Sequence, residues 1–165
     1  MKRFHFPLFV LLLVLALASC GPSGESLESG EKLLGNQAPN FTLSNLAGEK
    51  VELSSFTSQK PTLLVFWATW CPTCKEEIPT LNEWAQKYSG MQIVGIDVQE
   101  SKEQIQKFLK KHEIKYPILM YEEADIAGQY GLVGIPASVL IAKGGRVIYF
   151  GFSLPENVER LIQNP

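Results

Sequence analysis

Cys71 and Cys74 stand two residues apart in Trp67-Ala68-Thr69-Trp70-Cys71-Pro72-Thr73-Cys74-Lys75, after a continuous apolar run and before a segment of helical periodicity. Such a pair can exchange dithiol for disulfide, give two thiolate ligands to a metal, or form a structural crosslink. A crosslink closing a two-residue loop constrains the unfolded chain very little, so it would be a poor staple. Tetrahedral zinc wants four ligands, and the chain offers no second C-x-x-C and, beyond its first residues, only His112. Redox exchange is therefore the chemistry these residues favour, with a metal-binding module as the rival class; no metal and no cofactor are expected.

The reacting species in such exchange is a thiolate, and an ordinary cysteine is mostly protonated at neutral pH. A sulfur at the first turn of a helix meets unpaired backbone N–H groups and the positive end of the helix dipole, both of which favour the anion. Cys71 occupies that place and is the expected attacking sulfur. Pro72 suits the first helical position, where its missing N–H costs nothing. Cys74, one turn deeper, is expected to be less exposed and to resolve the mixed disulfide, while Lys75 adds a solvated cation of small effect. Trp70, beside the nucleophile, is a candidate for substrate contact; Trp67 reads as core.

The elements that must hold this pair follow from periodicity. Phe41-Thr42-Leu43 and Val51-Glu52-Leu53 alternate on either side of Ala47-Gly48 and predict a hairpin. Leu63 to Trp67 is a continuous apolar run, as in a central strand buried on both faces. From Lys75 to Tyr88 the residues Ile78, Leu81, Trp84, Ala85 and Tyr88 fall at helical spacing, with Pro79 inside and a kink expected there. Gln92 to Val98 reads as a second buried strand. Ser101 and Gln104 form a capping box for a helix with Ile105, Phe108 and Leu109 inward. A strand at Ile118 to Met120, a short helix from Ala124 to Tyr130, and two strands, Ser138 to Ala142 and Arg146 to Phe150, joined across Lys143-Gly144-Gly145 come next. A last helix is expected to be capped by Ser153 and Glu156, with Val158, Leu161 and Ile162 inward. Tyr130 and Phe150 are assigned to packing. The order predicts an α/β sandwich with helices on both faces of the sheet.

The segment Trp67 to Pro79 resembles the active site of the thioredoxin superfamily, including the proline five residues after the second cysteine, and Gly134-Ile135-Pro136 resembles its cis-proline loop. The opening Gly35-Asn36-Gln37-Ala38-Pro39-Asn40-Phe41-Thr42-Leu43 and the extra segment between Met91 and Ala124 narrow the resemblance to the membrane-tethered TlpA/ResA-like branch, over about residues 35 to 163. It implies a thioredoxin-like three-layer sandwich: a central mixed sheet, helices on both faces and an N-terminal hairpin. It also implies that Pro136 is cis and faces the cysteines, and that the Ile135 backbone pairs with an extended substrate. Trp70 and Pro72 would complete the substrate-facing surface. Thioredoxins proper carry a buried Asp where this chain has Val65. In ResA-like proteins a Glu three residues after the second cysteine takes the proton-carrying part, and Glu77 stands there; its other reading is a solvated first-turn residue complementing the helix dipole. Glu76 reads as a surface residue. Peroxiredoxins share the opening and the fold, making thiol peroxidase the nearest enzymatic rival. Their peroxidatic cysteine follows a Thr or Ser by three residues; here that place holds Ala68 before Cys71, and Cys71 itself before Cys74.

Cys20 belongs to another pattern. Lys2 and Arg3 precede an unbroken apolar run from Leu8 to Ala18, too short to span a bilayer comfortably and fitting a secretory signal. Leu17-Ala18-Ser19-Cys20 resembles a bacterial lipobox, which implies cleavage after residue 19 and acylation of Cys20. The expected organisation is a signal peptide over 1–19, a lipidated Cys20 with a flexible tether to residue 34, and one domain over 35–165. From Gly21 to Leu34, Gly, Ser and Glu fill nine of fourteen positions, a composition with little to bury. Without Lys2 and Arg3 the chain carries 13 basic against 17 acidic residues, with no basic stripe for nucleic acid. The reading is an extracytoplasmic, membrane-anchored protein-disulfide oxidoreductase. By resemblance its partners are cysteine-containing exported proteins, apocytochrome c among them, and a membrane thiol electron donor.

Overall fold

The computed structural model describes residues 30–121 and 125–165, so the signal segment, Cys20 and Ala124 lie outside the described residues. Seven strands form one mixed sheet: β1 (Thr42–Asn45), β2 (Lys50–Glu52), β3 (Thr62–Trp67), β4 (Gln92–Val98), β5 (Ile118–Tyr121), β6 (Ala137–Ile141) and β7 (Val147–Gly151), in the order β2-β1-β5-β4-β3-β6-β7. β3, β4 and β5 run parallel; β6 and β7 close one side antiparallel, and the β1–β2 hairpin closes the other. All six residues of β3 are buried, which is why this strand reads as an unbroken apolar run.

The pleat divides that run between two cores. Leu64 and Phe66 face a cluster with Val94, Ile96, Val139, Ile126 and Tyr130, whereas Leu63 and Val65 face Leu81, Ile93, Leu140 and Val158. The first is covered by the short helices α1 (Leu53–Thr57) and α4 (Ile126–Gln129), the second by α2 (Pro72–Lys87) and α5 (Val158–Gln163). Helix α3 (Lys102–Leu109) carries Ile105 and Phe108 onto a third cluster at the end of β3, with Trp67, Ala68, Cys71 and Cys74. The three-layer thioredoxin-like sandwich expected from the sequence is therefore present, hairpin included.

Helix α2 is continuous through Pro79, and α3 has the capping box of Ser101 and Gln104 in both directions. Gly144 and Gly145 take φ of 94° and 100° in the β6–β7 turn, values that an L side chain resists. The ends of several elements differ from expectation. Helix α5 starts at Val158 after Asn157, with no side-chain cap, and Ser153 instead accepts the Tyr149 hydroxyl on its carbonyl. Helix α1 was not foreseen. Nor was a 3-10 turn over Gly30–Leu33, inside the stretch assigned to the tether. Gly30 donates to the Gly131 carbonyl, and a Cβ there would lie 2.1 Å from the Phe150 ring, so only glycine fits this approach. Gly35 and Asn36 then bond to Val147, which extends the packed domain at least to Gly30.

Candidate active site

Strand β3 delivers the site. It ends at Trp67, the chain turns through Ala68, Thr69 and Trp70, and Cys71 becomes the N-cap of α2, with φ −82° and ψ 113°. The Cys71 N–H donates to the Ala68 carbonyl at 3.1 Å, which tightens the turn, and Pro72 opens the helix without needing an acceptor. Cys71 and Cys74 form a disulfide with S–S 2.06 Å and Cα–Cα 5.3 Å. The Cys74 backbone N–H donates to Cys71 Sγ at 3.2 Å. An N-cap side chain normally uses oxygen for this bond; here sulfur takes its place, and the same N–H would support a negative charge on Cys71.

The expected difference in exposure is absent in this oxidised state: Cys71 is 4% exposed and Cys74 3%. The two sulfurs are distinguished by hydrogen bonding rather than by depth. The Ile135–Pro136 bond is cis. Pro136 directly precedes Ala137, the register partner of Phe66, so its loop lies at the same end of the sheet from which the cysteine turn emerges. Ile135 packs on the cluster that holds both cysteines, Pro136 is buried, and Gly134 is exposed. Trp70 at 64% and Val133 at 55% exposure leave apolar surface on the two loops. Trp67, by contrast, is core and touches Phe108.

Glu77 is half-buried on α2, one turn beyond Cys74 on the same side of the helix. Burial raises its carboxyl above the ordinary value, partly offset by the backbone N–H of Leu154. Its Oε2 is buried with no hydrogen-bond partner among the described residues. The charge of Glu77 in turn adds to the burial that pushes the Tyr116 hydroxyl upward. The solvated first-turn reading therefore does not hold for Glu77, whereas Glu76 is exposed as expected. His112 lies exposed with its ring stacked on Phe108 at 4.1 Å. No cluster of three or more His, Cys, Asp or Glu side chains able to hold a metal occurs among the described residues.

Two functional candidates escaped the sequence. Asp97, at the end of β4 beside Trp67, is fully buried, and Glu100, three residues later, is 6% exposed. Both oxygens of Glu100 accept from Thr69, one from its N–H and one from its hydroxyl, each at 2.5 Å. The Glu100 N–H donates to Asp97 Oδ1 at 3.1 Å. The turn that makes this possible places Gln99 at φ 62°. The only local signal was an apolar strand that ends in an acid.

The AhpC/TSA family pattern matches residues 34–150. The thiol-disulfide oxidoreductase ResA of Bacillus thuringiensis subsp. konkukian is 37% identical over 155 residues, covering 89% of this chain and 86% of the relative. ResA of Bacillus subtilis is 32% identical over 151 residues, covering 89% and 84%. Among solved structures, a DsbE-type thiol:disulfide interchange protein of Chlorobium tepidum superposes with TM-score 0.71 at 28% identity, over 79% of this chain and 95% of that one. A secreted disulfide oxidoreductase of Mycobacterium tuberculosis does so with TM-score 0.63 at 25% identity, over 81% and 97%.

Proposed function

This chain belongs to the AhpC/TSA family and, within it, to the ResA-like thiol-disulfide oxidoreductases, and from that premise we infer that Cys71 and Cys74 exchange dithiol for disulfide with exported cysteine-containing proteins. The observation that carries this reading is the disulfide at the N-cap of α2, with Cys71 Sγ accepting a helix N–H at the end of the sheet where the cis Ile135–Pro136 loop emerges.

In the reducing direction, the Cys71 thiolate attacks one sulfur of a client disulfide and the client's other sulfur leaves as thiolate. A mixed disulfide then joins Cys71 to the client. Cys74 loses its proton and attacks Cys71 Sγ; the client leaves with both sulfurs reduced, and two electrons have passed from the protein, which now holds the Cys71–Cys74 disulfide. A membrane thiol donor would return two electrons to restart the cycle. The partly buried carboxyl of Glu77, with one oxygen unpartnered, is suited to take the Cys74 proton. Trp70, Pro72, Ile135 and Pro136 would receive the client chain, which pairs its backbone with that of Ile135. By the resemblance of the Trp67 to Pro79 segment, apocytochrome c would be one client class. Cys20 would carry the lipid, and two or more acyl chains would hold the domain stably on the outer side of a membrane. Among the described residues no helix is long and apolar enough to cross one.

A peroxidase reading finds less support. Ala68 stands where a hydroxyl would be needed, and the nearby Thr69 hydroxyl is committed to Glu100 rather than to a sulfur. A Cys74→Ser protein should accumulate mixed disulfides with clients through Cys71, and a further Cys71→Ala change should abolish them. Absence of any trapped client together with unchanged maturation of exported cysteine proteins in the double mutant would overturn the reading.

A further inference from the structure

Asp97 and Glu100 put two carboxyl groups together inside the protein, and Glu100 lies 31 residues along the chain from Thr69, which it holds. The two carboxyl groups differ in their hydrogen bonds. Glu100 accepts two bonds from Thr69, one on each oxygen, so both of its oxygens are engaged. Asp97 accepts only the Glu100 N–H, on Oδ1, and its Oδ2 is buried without a partner. Asp97 is fully buried, so a second anion at that place would be cut off from bulk solvent, with no cationic side chain among the described residues acting on it. Met120, its neighbour on β5, is apolar, and Tyr121 pairs one residue further on. The β3–α2 turn contributes the Thr69 hydroxyl and the non-titrating disulfide. Helix α3 and the residues after it contribute Lys107, Lys111 and His112, which line an exposed groove beside Thr69. Among the described residues, Glu100 is the one charged group that acts on Asp97.

We propose that Asp97 and Glu100 are positioning residues: a carboxyl pair that shares one proton, locks Thr69 and thereby the turn into Cys71, and releases it when that proton leaves. With Asp97 neutral, Glu100 can stay anionic and grip both donors of Thr69. With Asp97 ionised, two like charges face each other in a site of low polarity, and the relief open to the pair is for Glu100 to swing toward solvent. Both Thr69 bonds go with it. Thr69 is separated from Cys71 by Trp70 alone, so the release loosens the exposed indole and the bond between the Cys74 N–H and Cys71 Sγ. The titration falls in an accessible range, since burial and then Glu100 push the Asp97 carboxyl up to about 8.

The catalytic consequence rests on the oxidoreductase reading, but the clamp itself does not, and the test separates them. The oxidised full chain is used, where neither cysteine titrates. Between about pH 6 and about pH 9.5 the Thr69 amide resonance should titrate with a midpoint near 8, and its hydrogen exchange, corrected for hydroxide catalysis, should accelerate by about tenfold or more. The Asp97→Asn change should remove both effects, and the ring resonances of His112 in the same spectra identify any contribution from that residue. Carbon-detected spectra of the unaltered protein provide a readout that needs no variant: the Asp97 carboxyl should appear protonated at about pH 6.5. In the reduced protein, the ratio of Cys71 alkylation rates between wild type and Asp97→Asn should change by about threefold or more across the same titration, a comparison in which the thiol's own ionisation largely cancels. A Thr69 amide that does not move, an equal movement in Asp97→Asn, an ionised Asp97 at the lower pH, or a constant rate ratio would each overturn the clamp. Failure of client trapping would instead sink the oxidoreductase reading while leaving the Thr69 titration in place.

Discussion

Thr69 supplies two hydrogen bonds to one carboxylate, and that makes it the residue whose loss should separate positioning from chemistry. Thr69→Val keeps the shape and the N–H but removes the hydroxyl, and should slow Cys71 attack several-fold, while Thr69→Ser should restore it; stopped-flow oxidation by a small disulfide measures both. Asp97 also has a thermodynamic signature. Its carboxyl lies at about 8 in the fold against 3.8 unperturbed, so the proton it keeps on folding costs stability wherever the unfolded chain has already lost it. Stability should be full below about pH 4, fall as pH rises toward about pH 8, and level off beyond. Asp97→Asn should abolish that slope and raise neutral-pH stability by about 1–4 kcal/mol, read from denaturant midpoints at several pH values. Glu77 has the same sign by burial, offset in part by the Leu154 N–H, so Glu77→Gln should also flatten the profile, to a smaller degree. Its distinguishing effect would be a change in the pH dependence of mixed-disulfide resolution by Cys74. The cysteine pair and Glu77 were legible from spacing and resemblance, but the groups whose electrostatics couple to Glu77, the Leu154 N–H and the Tyr116 hydroxyl, lie far away in the chain. The Thr69–Glu100 contact likewise joins segments that no local pattern connects.

The elements that carry the site are those whose sequence and surroundings agree. Strand β3 is buried on both faces and shows an unbroken apolar run; α3 shows both its cap and its stripe. Because Ser101 accepts from the Gln104 N–H and Gln104 reaches back to the Ser101 N–H, Ser101→Ala should cost about 1 kcal/mol in thermal or denaturant unfolding. It should leave the cysteine chemistry unchanged, since the cap faces solvent. Elements set by tertiary contact were not legible. Helix α1 has five residues and leaves β2 directly, too few for a period to show. Helix α5 begins five residues after Ser153, whose carbonyl instead accepts the Tyr149 hydroxyl. The 3-10 turn at Gly30 hides in a Gly-, Ser- and Glu-rich composition. Its role depends on a glycine small enough to reach Phe150 and Tyr130. Gly30→Ala should detach that turn, detected as faster exchange of the amide at position 30 and of the Gly35 and Val147 amides.

At the scale of the whole molecule, one end of the sheet gathers the disulfide, the cis-proline loop, the exposed Trp70 and Val133, and the carboxyl pair. The tether expected from Cys20 to residue 34 would hold the domain within roughly 20 Å of a membrane. Fatty-acid labelling should therefore mark the wild type and not Cys20→Ala, and the variant should leave the detergent phase. The account stands or falls on sulfur exchange at Cys71. The most direct measurement mixes reduced Cys74→Ser and reduced Cys71→Ser proteins with oxidised glutathione, quenches with acid at intervals, and locates the adduct by mass spectrometry. Rapid glutathionylation at Cys71 in the first protein, much faster than at Cys74 in the second, is predicted; equal rates at the two cysteines, or a Cys71 no faster than a free cysteine, would contradict it.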